Sequence, residues 1–135
     1  MQKLLSGKTW YMLLAALVFA AGSVVGQERA MMQKTVIHAV AWTPIEGFTP
    51  QDLEELKQAT TVLLQSVPGM KRAWVGKLRQ PLTVGDATRS YGLILEFDDL
   101  KSREAYSTHP NRAAWAMVWE KVRAPSPTVF DVLGE

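Results

Sequence analysis

The chain has no cysteine. That excludes disulfides, thiolate nucleophiles, cysteine metal ligands and a lipid anchor on a cysteine after the N-terminal apolar run. Histidine is scarce, with only His38 and His109. As a metal pair they lack a third ligand at useful spacing, so no metal is expected. Charge of one sign is also lacking: the formal net charge is +2. Two of the 15 basic residues, Lys3 and Lys8, lie near the N-terminus, and without them 13 basic residues face 13 acidic ones. A near-neutral chain with no clustered basic patch does not point to nucleic acid. Finally, the longest apolar run is shorter than the roughly 20 residues a bilayer span needs.

What is present begins with that short run. Basic residues Lys3 and Lys8 precede an uncharged stretch, Trp10 to Ala21, and the small, flexible AGSVVGQ follows. The order basic, apolar, small predicts a secretory signal peptide over residues 1–26, cleaved after Gly26. An uncleaved N-terminal anchor is the less favoured alternative. The expectation is therefore an exported protein, periplasmic or secreted, with no membrane attachment after cleavage. Residues 27–34 form a flexible N-terminal segment, and 35–135 form one small domain with one core.

Within that domain TVIHAVAW, Thr35 to Trp42, is β-branched and aromatic and predicts a strand. Val36, His38, Val40 and Trp42 share one face, and Ile37, Ala39 and Ala41 the other. Thr49-Pro50-Gln51-Asp52 is a helix start: a Thr N-cap, Pro at the first helical position and an acid in the first turn. Leu53, Leu56, Thr60, Leu63, Leu64 and Val67 recur at helical spacing, and Pro68-Gly69 ends the helix. A second strand is expected over Met70–Leu78, then a long connection through Pro81, Gly85 and Asp86, then a third strand over Ser90–Phe97. Asp98 or Asp99 caps a short helix to about Ser107. A second helical piece runs from about Asn111 to Arg123, with Trp115, Val118, Trp119 and Val122 at i, i+3, i+4 and i+7. TVFDVL is the last strand.

The order β-α-β-β-α-β is the ferredoxin-like arrangement: a four-stranded antiparallel sheet with its helices on one face, an α+β fold. Ile37, Ala39, Ala41 and Ile94 are too apolar to leave the other face wet. The simplest cover is the same face of a second copy about a two-fold axis. Trp74 would face that interface, and Glu96 would need a partner there such as Arg72 or Lys71.

Three stretches carry a resemblance: VIHAVAW, VPGMKRAWVGK, and LEFDDLKSREAYSTHPNR with its Tyr, two residues, His-Pro. Residues Thr35 to Leu133 resemble the stress-responsive dimeric α/β-barrel (Dabb) domain family. The resemblance implies a homodimer with a pocket between sheet and helices, and no cofactor. The family includes polyketide cyclases and lyases, stress-induced proteins, and exported bacterial members without an assigned activity. In cyclase-like members a Tyr before the His-Pro and a His two residues after it do the acid–base work. Tyr106 matches the first position; the second is Arg112, which stays charged and cannot accept a proton.

The candidate catalytic pair is therefore Tyr106 with His38, which would replace the missing base, with Arg112 as anion clamp. The pocket expected around them uses Val40, Trp42, Leu56, Thr60, His109, Arg112 and Trp115. The plainer alternatives are a strand histidine satisfied by a neighbour for His38, a helix cap for His109, and core packing for the tryptophans. Two functions follow: a homodimer that binds a small apolar or aromatic ligand without turnover, or a cofactor-independent lyase, cyclase or monooxygenase.

Overall fold

The computed structural model describes residues 32–135. The expected signal peptide lies outside the described residues. The elements are β1 (Val36–Trp42), α1 (Pro50–Ser66), β2 (Met70–Val84), β3 (Ala87–Phe97), α2 (Leu100–Ser107), α3 (Pro110–Val122) and β4 (Thr128–Leu133). One antiparallel sheet has the order β2-β3-β1-β4. The architecture is the expected ferredoxin-like α+β fold, with the second helical element broken in two just before Pro110.

Local chemistry places these boundaries. At α1 the Thr49 hydroxyl accepts from the Asp52 N–H (3.2 Å) while the Asp52 carboxylate accepts from the Thr49 N–H (2.7 Å), a complete capping box. The Thr49 hydroxyl, donating to the Asp52 carboxylate at 2.7 Å, and then the Thr49 N–H hold the Asp52 carboxyl below its ordinary value. Thr49→Ala is expected to lower the melting temperature by about 4–8 °C in a thermal scan, the effect of losing one such cap in a domain of this size. At the far end Gly69 has φ +79, and a Cβ there would collide with Ser102. Only glycine both takes the left-handed turn and lets α2 approach this closely. Asp99 caps α2 by accepting from the Ser102 N–H at 2.7 Å. His109 caps α3, its Nδ1 accepting from the Asn111 N–H at 3.2 Å, so the cap alternative for His109 matches its position.

One segment differs from the expectation. Arg79 to Arg89 is not a long connection. β2 runs to Val84 and β3 starts at Ala87, joined by a tight turn at Gly85-Asp86 with Gly85 at φ +59. Leu82, Thr83 and Val84 pair with Arg89, Thr88 and Ala87, beyond an irregularity between Lys77 and Leu82. Pro81 reads as a breaker because it lacks an N–H. Here it falls within that irregularity on an edge strand, where no ladder hydrogen bond is needed from it. Val-Gly-Asp-Ala is thus a hairpin turn between two strands.

The core lies between the sheet and the helices. Val36, Val40 and Trp42 from β1 meet Leu93, Leu95 and Phe97 from β3, with Leu56, Leu63, Trp115 and Trp119 above them. The opposite sheet face carries Ile37, Ala39, Ala41 and Ile94, and β4 adds Phe130 and Val132. Phe130, Val132 and Trp74 are each about half exposed, at 51%, 51% and 49%. Glu96 on this face is 1% exposed and is gripped by the Arg72 guanidinium through Nε and through Nη2 (3.0 Å), with the Thr35 hydroxyl donating at 2.7 Å. The Arg72 hydrogen bond outweighs burial and holds the Glu96 carboxyl below its ordinary value. Lys71, the other expected partner, pairs with Asp98 at 3.6 Å instead.

Candidate functional site

A cavity of about 370 Å³ opens between the sheet and α2 and α3. The face of β1 that carries Val40 also carries His38, so the strand delivers the imidazole to the cavity floor. β4 pairs beside β1 with Asp131 directly opposite His38. The Asp131 carboxylate accepts from the imidazole Nδ1 at 2.6 Å. Arg103 of α2 reaches both groups: its Nε lies 3.3 Å from Asp131 and its Nη2 lies 3.0 Å from His38 Nδ1. The ring nitrogen has room for one partner, and the shorter contact to a charged acceptor decides it. Nδ1 therefore carries the proton, and Nε2 is left as the acceptor of a neutral imidazole.

Electrostatics favour the neutral form of the imidazole. Burial is the largest influence on His38 and pushes its pKa down, the Asp131 hydrogen bond pulls it back up, and the charge of Arg103 lowers it again; the net shift is downward from 6.5. At Asp131 burial pushes up, but the His38 hydrogen bond and the Arg103 charge prevail, and the carboxyl sits below its ordinary value. Tyr106 comes from α2, is 3% exposed, and its ring centroid lies 6.2 Å from that of His38. Burial raises its pKa more than the charges of Arg112 and Arg103 lower it, so the phenol keeps its proton. The Arg112 guanidinium lies 5.6 Å from the Tyr106 ring centroid.

His38, Val40, Tyr106, Arg112 and Trp115 are brought together around the cavity. Four other expected positions do not form its wall. Trp42 and Leu56 are fully buried in the core, because β1 and α1 turn them toward Leu93, Phe97 and each other's layer. Thr60 stands behind the wall: it donates to the Leu56 carbonyl at 2.7 Å and accepts from the Trp115 indole N–H at 3.0 Å, fixing that ring. His109 is spent on its helix cap. The polar wall residues Arg103, Ser107, Glu120 and Arg123, and Asp131 behind His38, escaped the sequence reading. The one signal for Asp131 was a carboxylate alternating with Val129 and Leu133 in an otherwise apolar strand. Arg103 stands one turn before Tyr106 and had no other mark.

A larger groove, about 600 Å³, runs between α1 and β2 past Thr60, Leu64 and Val75. Among the described residues its ionisable lining consists of Lys57 and Lys77. It has no acid–base pair, so the smaller cavity is the better candidate for chemistry. Among the described residues no three His, Cys, Asp or Glu side chains converge as metal ligands.

The stress-responsive A/B barrel domain profile matches residues 36–132. The chain belongs to this family. No curated protein matches it in sequence. Among solved structures it is similar to a hydroxynitrile lyase from Passiflora edulis, with 13% identity, 76% of this chain and 94% of that one covered, and a TM-score of 0.62. It is similar to SnoaB, a cofactor-independent oxygenase from Streptomyces nogalater, with 16% identity, 76% and 95% covered, and a TM-score of 0.56. It is also similar to a dimeric ferredoxin-like protein of unknown function from Bacteroides fragilis, with 20% identity, 76% and 99% covered, and a TM-score of 0.58. At these identities the likeness shows the fold alone.

Proposed function

We propose that this protein performs cofactor-independent acid–base chemistry on a small aromatic or conjugated carbonyl compound. The observation that carries the reading is the 2.6 Å contact between Asp131 and His38 Nδ1, which supplies the base that Arg112 cannot be. His38 Nε2 takes a proton from a carbon next to the carbonyl. The electron pair of that C–H bond moves onto the carbonyl oxygen as an enolate. The Tyr106 hydroxyl and the Arg112 cation stabilise the developing negative oxygen. Return of the proton, or departure of a leaving group, completes the turn.

The protein acts as a homodimer in this reading. Support comes from the dimeric neighbours and from the apolar, half-exposed sheet face around Phe130, Val132 and Trp74. Export through the N-terminal signal peptide places the dimer in the periplasm or outside the cell; its support is the sequence pattern of residues 1–26.

A second reading, ligand binding without turnover, draws on Arg103. Its Nη2 at 3.0 Å from His38 Nδ1 adds positive charge beside the base and weakens it. One experiment separates the two. The full chain is incubated with 2-tetralone in D₂O, and loss of the C1 proton signal is followed by NMR. Exchange well above the buffer rate, abolished in His38→Ala and reduced in Tyr106→Phe, is the expected result. Exchange at the buffer rate with the ligand bound leaves the binding reading.

A further inference from the structure

One carboxylate and two permanent cations stand around a single imidazole. Among the described residues, the charged or titratable groups that face His38 are Asp131 from β4, Arg103 and Tyr106 from α2, and Arg112 from α3. β3 places Leu95 directly opposite His38 and adds no charge there. Glu120 and Arg123 also line the cavity, more than two turns beyond Arg112 on α3, and pair with each other at 2.6 Å.

A carboxylate 2.6 Å from an imidazole ordinarily draws a proton onto it and keeps it as a counter-ion. Here the carboxylate already has one. Arg103 Nε lies 3.3 Å from Asp131, and the rest of the guanidinium is held in place. Nη1 donates to the Ser107 hydroxyl, one turn on, at 2.9 Å. The guanidinium carbon lies 5.6 Å from the Tyr106 ring centroid and 6.0 Å from that of Phe97, and the side chain is only 15% exposed. A guanidinium does not lose its proton, so one negative charge meets one fixed positive charge. With a neutral imidazole the three groups sum to zero. A proton on His38 would add a second cation 3.0 Å from Arg103 Nη2, in a site where water screens little. Burial is the first influence that lowers His38, and the Arg103 charge adds to it against the pull of Asp131.

We infer that Arg103 is a positioning residue of the base: it is the counter-ion of Asp131, which lets the carboxylate hold the Nδ1 proton without making His38 a cation. Its charge keeps Nε2 an acceptor at neutral pH. This rests on the reading of His38 as the base, but the charge on the ring is measurable without turnover.

The test compares Arg103→Gln with Arg103→Lys in the full chain. The His38 ring nitrogens are followed by NMR against pH, beside 2-tetralone exchange corrected for the buffer rate. Glutamine keeps a donor for Asp131 and removes the charge, so His38 should titrate at higher pH. Exchange at pH 6 should then fall by about fivefold or more and return to within about twofold of the unaltered chain at pH 8.5. A packing defect would not be undone by pH. Lysine keeps the charge, and its acid limb should stay where it is in the unaltered chain. Arg103→Gln combined with Asp131→Asn has no carboxylate in need of a cation, and the upward shift should vanish. A His38 titration that stays put in Arg103→Gln overturns the inference alone, as does an equal upward shift in Arg103→Lys or a shift that persists in the double variant. An imidazolium in the unaltered chain at pH 7 overturns it even where Arg103→Gln fails to fold. Absence of exchange by the unaltered chain overturns the reading of His38 as the base, while the titrations still decide which group is the counter-ion.

Discussion

Asp131→Asn is expected to slow 2-tetralone exchange by about a hundredfold or more while leaving the fold intact. An asparagine of the same shape offers an amide that can donate to His38 Nδ1 instead of accepting from it. The imidazole then carries its proton on Nε2, facing the cavity, and no longer acts as a base. General acid–base catalysis contributes on the order of 10²–10⁴ in rate, and a wrong tautomer forfeits most of it. The carboxylate is on the outer strand β4 with its side chain 34% exposed, so the substitution leaves no buried void. NMR of the imidazole nitrogens would report the tautomer directly, and an unchanged rate with Nδ1 still protonated would mean Asp131 does not orient the ring.

The same pair sets a pH dependence. Burial, against the pull of Asp131, holds His38 below its ordinary 6.5. The neutral base is therefore present at neutral pH, and the exchange rate should fall only as pH drops through that lowered value. In Asp131→Asn the upward pull of the carboxylate is gone, so the acid limb should move to lower pH still. Stability follows the same sign. Between the folded and unfolded values the unfolded chain binds more protons, so His38 costs stability as pH falls below about 6.5. Denaturant midpoints measured across that range check it.

Trp42→Ala is expected to cost about 3–5 kcal/mol, the range for removing a large buried aromatic. Trp42 is 0% exposed and touches three rings: Phe48 at 5.6 Å, Tyr91 at 5.0 Å and Trp119 at 5.1 Å between centroids. Those rings tie β1, β3, the loop before α1 and helix α3 together, so the void cannot close without moving the cavity wall. Thermal denaturation should shift by about 12 °C or more for a domain of this length. Trp42→Phe is the informative companion. The indole Nε1 is buried without an acceptor among the described residues. Phe keeps an aromatic ring and discards that unsatisfied donor, so its cost should be about 1.5 kcal/mol or less. A large loss in Trp42→Phe would show that the full indole volume, rather than ring contact, holds the layer.

Much of this molecule is written in short-range chemistry. The alternation in β1, the Thr49–Asp52 capping box, Gly69 after α1 and the Asp99 and His109 caps are each set by residues within a few positions of one another. Backbone sterics and orphan N–H groups act over that range, so the element order and the ferredoxin-like fold are legible from the chain alone. So is the cluster of Tyr106 and Arg112, which lie on consecutive helices only six positions apart. Pro81 shows where local reasoning misleads: its missing N–H is harmless only because β2 happens to be an edge strand, a property of the whole sheet. The base is the clearest case of tertiary control. His38 and Asp131 are separated by 93 residues, and nothing in either strand marks the other as its neighbour. The β1–β4 register sets them opposite each other, and Arg103 joins them from α2. Long-range pairing and burial together choose the imidazole tautomer, and they turn Trp42 and Leu56 into core while making Trp115 a wall.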